Sequence, residues 1–125
     1  MIIIKVMGGL GNQMQQYALY EKFKSIGKDA KLDISWFEDS SMQEKVFARR
    51  SLELRQFKDL QFDTCSAEEK EVLLGKSGIL GKLERKLIPA RNKHFYESDM
   101  YHSEIFNMSD VYLEGHWACE KYYRS

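Results

Sequence analysis

Cysteine is scarce in this chain. Cys65 and Cys119 are the only two in 125 residues, and neither sits in a Cys-x-x-Cys or Cys/His ligand spacing. A disulfide-stapled scaffold of this size needs more of them, so both read as reduced thiols. Proline is nearly absent, with Pro89 alone, which excludes collagen-like and polyproline segments. Charge of one sign is also missing: 19 Lys and Arg stand against 19 Asp and Glu. Nothing in that balance calls for nucleic acid or an anionic bilayer as a partner. Long apolar runs are lacking too. Ile2-Ile3-Ile4-Lys5-Val6 is too short for a signal core, lacks a basic leader, and no stretch approaches the roughly 18 apolar residues of a spanning helix. The expected location is the cytoplasm, with the inner face of the cytoplasmic membrane as the alternative. At 43% hydrophobic and 30% charged residues, the composition is that of one compact globular domain.

The patterning is α/β. Ile2 to Met7 is a β-branched run closed by glycines, as in a strand buried on both faces. Asn12 offers an N-cap to a helix over Gln13 to Ile26, with Leu19, Phe23 and Ile26 on its inner stripe and Met14, Tyr17 and Ala18 beside it. Gly27 supplies the stop. Ala30 to Ile34 reads as a second strand, completing a βαβ unit with a right-handed crossover. Ser51 to Phe57 alternates like a short strand or a docked loop. Ser66-Ala67-Glu68-Glu69 is a capping box opening a helix to about Leu74. Leu80, Leu83 and Leu87 form an amphipathic stripe whose outer Lys82, Arg85 and Lys86 read as a solvated face, with peripheral membrane contact as the other reading. Lys93 to Glu97 and Asp110 to Trp117 are further strands. Glu120 to Tyr123 opens a helix, so the chain is expected to be one piece of a longer protein.

The loop Gly8-Gly9-Leu10-Gly11-Asn12 is the chemically suggestive feature. A glycine turn between a buried strand and a helix N-terminus presents backbone N–H groups and the positive end of the helix dipole to an anion. In open α/β sheets that turn lies at the carboxyl edge, where ligands bind. A tight turn holding nothing is the alternative. Gly9-x-Gly11-x-x-Met14 keeps two of the three glycines of a dinucleotide fingerprint, and Asp33 falls where a ribose-binding acid belongs. Met14 counts against that reading, as too bulky for close helix–strand packing. No Gly-Lys-Ser/Thr follows, which excludes a Walker loop.

Residues Ile3 to Leu19, with Gly8-Gly9-Leu10-Gly11-Asn12-Gln13-Met14 at their centre, closely resemble the opening of bacterial α-1,2-fucosyltransferases, glycosyltransferase family 11. Lys31-Leu32-Asp33-Ile34-Ser35-Trp36-Phe37 and Tyr112-Leu113-Glu114-Gly115-His116-Trp117 agree with later family segments. The resemblance implies a Rossmann-like three-layer domain with a mainly parallel sheet, residues 1–125 being the acceptor-side N-terminal half of a GT-B enzyme. Such enzymes move fucose from GDP-fucose to the 2-hydroxyl of a terminal galactose in the oligosaccharides of surface glycans, with inversion and without a metal. The sequence has no Asp-x-Asp, in keeping with that.

By the same resemblance, Gly8, Gly9, Gly11, Asn12 and Gln13 form the donor-facing loop, with Asn12 and Gln13 as amide contacts to fucose or diphosphate. Asp33 and Glu114 are candidate bases; a turn or N-cap residue is the alternative for Asp33, and a surface strand residue for Glu114. Trp36, His116 and Trp117 are candidate acceptor contacts, core packing being the other role of each tryptophan. Gln15 replaces the family's usual Phe, and His116 a usual Tyr. The His-x-Arg-Arg signature that grips the donor phosphate is absent, and Arg49-Arg50 lacks its context. The chain alone is therefore expected to be inactive, and an exposed half-cleft to favour self-association. A non-catalytic glycan- or partner-binding module and a small Rossmann-like nucleotide binder are the alternatives.

Overall fold

The computed structural model describes residues 1–38, 52–57, 59–75 and 93–123. The amphipathic stripe at Leu80 to Leu87 and the pair Arg49-Arg50 lie outside them. Among the described residues four strands, β1 (Ile2–Lys5), β2 (Ala30–Asp33), β3 (His94–Tyr96) and β4 (Val111–Glu114), form one open sheet in the order β2-β1-β4-β3. Every pairing is parallel. A single parallel bridge from Leu32 to Thr64 extends the sheet beyond β2. The α/β class and the parallel sheet are as the patterning predicts.

The period of two along each strand divides the side chains between two layers. Ile2, Ile4, Val6, Ala30, Leu32, Val111 and Leu113 pack with Leu19, Tyr20 and Phe23 of helix α1 (Leu10–Ser25). Leu54, Ile105, Trp117 and Tyr122 complete that core from short 3-10 turns and the chain after β4. The opposite face is thinner: Ile3 and Tyr112 pack with Leu73 of helix α2 (Ala67–Leu74). Helix, sheet and helix make the three layers. α2 opens on the expected capping box, with Ser66 Oγ accepting from Glu69 N–H and the Glu69 carboxylate accepting from Ser66 N–H.

α1 departs from expectation at its start. Gly9, not Asn12, is the N-cap, and its carbonyl takes the N–H of Gln13 at 3.0 Å. Gly8 is the cause. Its φ of +84° turns the chain before Asn12 is reached, and a Cβ there would stand 2.7 Å from Asn12 Nδ2. Asn12 thus falls within the first helical turn. The inner stripe also shifts: Gln13, Gln16, Leu19, Tyr20 and Phe23 are buried, whereas Met14 is 39% and Ile26 43% exposed. Ile26 is the C-cap residue, beyond the last turn that reaches the sheet. The segment before β3 that alternates in sequence is a 3-10 turn, Glu53–Gln56, docked against α1 through Leu54.

Candidate functional site

The carboxyl edge of the sheet carries two groups of polar residues, one toward each helix layer. On the α1 side lies the glycine loop. The N-cap is a glycine without a side chain, so among the described residues no side-chain cap serves the first N–H groups of α1. Asn12 lies half-buried over Gly8, and its amide makes no hydrogen bond among the described residues. Gln13 is different. It is fully buried, with Nε2 donating to the Gly8 carbonyl at 3.0 Å and Oε1 accepting from Glu53 N–H at 2.8 Å. Its amide holds the loop in shape rather than facing solvent. Gln16 performs a similar task one turn on. It accepts from Met7 N–H at 3.1 Å and donates to the Gly115 carbonyl at 2.9 Å, tying the end of β1 to the end of β4.

On the α2 side, register sets a row of side chains. Asp33 pairs with Lys5, and Tyr96 with Glu114, while Ile4 beside Leu113 brings Lys5 next to Glu114. Lys5 Nζ stands 3.4 Å from Glu114 Oε2, and His94 Nε2 is 2.9 Å from Glu114 Oε1. Asp33 Oδ2 accepts the Tyr112 hydroxyl and faces Lys70 Nζ of α2 at 3.1 Å. Its other oxygen accepts from Ser35 N–H at 3.1 Å. Lys70 also donates to Ser35 Oγ. The His94 ring stacks on Tyr96 and meets Tyr112 edge-on.

The electrostatics separate the two candidate bases. Burial opposes the charge on Asp33, but the Tyr112 hydroxyl, the Ser35 N–H and Lys70 outweigh it and hold the carboxyl below its ordinary range. Burial, and then the Asp33 charge, push the Tyr112 phenol far up. Asp33 is thus a settled anion, 3% exposed and a poor proton acceptor. Glu114 keeps some exposure beside His94. Burial lowers the His94 pKa against the opposing pull of Glu114, which favours the neutral ring. Cys65 is raised by burial to about 11 and stays a thiol.

A depressed folded-state pKa stabilises above the unfolded carboxyl value and loses that contribution as pH falls through the folded one. Asp33→Asn is therefore expected to cost about 2 kcal/mol at pH 7, the scale of a hydrogen bond to a charged group. The gap to wild type in urea melts should shrink from pH 5 to pH 2. An equal gap at both ends would refute the pairing.

The remaining sequence candidates separate cleanly. Trp36 is buried and meets Phe37 edge-on at 5.1 Å. Trp117 lies wholly within the α1-side core. His116 is exposed, its backbone N–H bound to Glu97 Oε1 at 3.0 Å. The dinucleotide reading changes as well. Met14 is exposed, so bulk against the sheet is no objection to it. Asp33 is instead the obstacle, since both its oxygens are engaged within the fold. Lys5, Lys70, His94 and Gln16 escaped the sequence reading. Lys5 and Glu114 become neighbours only through the parallel register of β1 and β4.

Among the described residues no group of His, Cys, Asp and Glu is placed to hold a metal ion, and no helix is long and apolar enough to cross a membrane. Fold and edge define an open parallel α/β domain with its polar groups where such domains take ligands. No protein-family model, curated protein or solved structure matches the chain.

Proposed function

We propose that this domain is the acceptor-side half of an inverting, metal-independent glycosyltransferase of GT-B type, resembling the α-1,2-fucosyltransferases. The observation that carries the reading is the uncapped start of α1, with the Asn12 amide lying over Gly8 at the carboxyl edge of β1. Orphan N–H groups and a carboxamide without a partner among the described residues suit a diphosphate or a sugar hydroxyl. Asn12 would contact the donor across the cleft. Gly8, Gly9 and Gly11 allow its approach, and Gln13 keeps the loop rigid. Glu114 is the better of the two carboxylates for deprotonating a galactose hydroxyl, because Asp33 is held as an anion by three donors. Leu10 and Met14, exposed one turn apart on α1, provide an apolar surface for a second domain or a second copy to cover.

The 125 residues contain no His-x-Arg-Arg, so the chain alone should not transfer fucose from labelled GDP-fucose to lactose. Supplied with the C-terminal half of a bacterial α-1,2-fucosyltransferase, it should do so. Asn12→Ala should then lower the rate about 100-fold, the scale of losing one donor to developing charge. Absence of transfer from a folded pair, or saturable NAD binding by the chain, overturns the proposal.

A further inference from the structure

A second constellation lies away from the glycine loop, in the bend after β3. Ser98 Oγ is 2.7 Å from His102 Nε2, and His102 Nδ1 is 2.9 Å from Glu104 Oε1. A carboxylate only accepts, so the proton on this side of the neutral ring sits on Nδ1 and points at Glu104. Nε2 is then the acceptor, and it receives both the Ser98 hydroxyl and, at 3.3 Å, the Ser98 backbone N–H. This is the tautomer and order of a hydroxyl nucleophile, its base and the group that orients the base.

The surroundings keep the ring in place. Phe95 meets His102 edge-on at 5.1 Å, and the backbone N–H of His102 donates to the Tyr122 hydroxyl at 2.9 Å. The His102 side chain is mostly covered, while Ser98 is exposed. The N–H groups of Asp99 and Met100, which follow the serine, donate to no described residue. Met100, 68% exposed, and Tyr101, 37% exposed, offer apolar surface beside it.

We propose that Ser98, His102 and Glu104 form a reactive centre that takes the acyl group of a small ester, independently of any glycosyl transfer. Ser98 Oγ bonds to the carbonyl carbon as its proton passes to His102 Nε2. Collapse of the tetrahedral adduct breaks the bond to the alcohol oxygen, which leaves with that proton. Water, deprotonated by His102, then releases the acid and restores Ser98.

The test uses the full chain with p-nitrophenyl acetate and a fluorophosphonate probe. A burst of nitrophenolate, a mass increase of one acetyl group mapped to Ser98, and fluorophosphonate labelling of Ser98 are expected. His102→Gln should slow each at least tenfold, and Ser98→Ala should abolish the acyl adduct. Both variants leave the backbone bond to Tyr122 intact, and circular dichroism confirms their fold. Labelling of Ser98 no faster than in the urea-unfolded chain, or at an unchanged rate in His102→Gln, overturns the proposal. The loss or survival of fucosyl transfer does not bear on it.

Discussion

Gln16→Leu should destabilise the domain by about 2–4 kcal/mol and lower its melting temperature by roughly 10 °C. The hydrogen bonds of the amide set this cost, since leucine matches its size and would be welcome in a core by hydrophobicity alone. Gln16 is fully buried on the inner face of α1. Its oxygen receives Met7 N–H and its nitrogen feeds the Gly115 carbonyl. Neither backbone group has a strand partner at that point, because β1 and β4 have both ended. Leucine would strand a donor and an acceptor together, each costing about 1–3 kcal/mol, and would recover only part of that through apolar burial. Gln16→Glu keeps the acceptor but not the donor, and adds a buried charge. It should be at least as damaging at pH 7. Urea denaturation of the three proteins decides the matter. A Gln16→Leu variant as stable as wild type would mean that water replaces the amide at both groups.

The same residue shows where the sequence was legible and where it was not. The first strand followed from a β-branched run closed by glycines, because burial on both faces leaves little choice of composition. The capping box at Ser66 was equally plain, since its chemistry is local. The inner face of α1 was only half legible. Leu19 and Phe23 stand out as apolar, but Gln13 and Gln16 look like solvent-facing residues. They are buried because the strand ends and the glycine loop supply backbone groups for them. Such pairing depends on distant segments that meet only after folding. The Asp33–Tyr112 contact, 79 positions apart in sequence, is hidden for the same reason. Asp33 itself was visible as a strand-end acid, and the adjoining Ser35 turn was one of its two local readings. The Lys70 and Tyr112 partners were not.

Trp117→Ala should be the most damaging single change, costing about 3–5 kcal/mol against a total stability of roughly 5–15 kcal/mol for a domain of this kind. The sequence admits Trp117 as a platform for an acceptor sugar, but the fold uses it otherwise. The ring is fully buried, edge-on to Tyr122 at 5.1 Å and stacked with Phe95 at 6.4 Å. It links the end of β4 to the 3-10 turns beyond. Its backbone is held at a φ of +56°, rare for a residue with a bulky side chain. Two features fix that turn. Glu97 Oε1 accepts the N–H groups of both His116 and Trp117 at 3.0 Å. Gly115 lets Glu97 approach so closely that a Cβ there would lie 2.5 Å from the Glu97 Cβ. Packing thus outweighs a backbone cost of about 1–2 kcal/mol. The indole Nε1 is buried without a hydrogen-bond partner among the described residues, a second cost carried for the sake of the ring's volume. Trp117→Phe removes that orphan donor while keeping an aromatic ring between Phe95 and Tyr122. Its expected cost is correspondingly small, about 1–2 kcal/mol. Urea melts followed by far-ultraviolet circular dichroism separate the two roles. A core tryptophan predicts a large loss in Trp117→Ala and a small one in Trp117→Phe. A sugar platform predicts wild-type stability in both, with any defect confined to glycan binding.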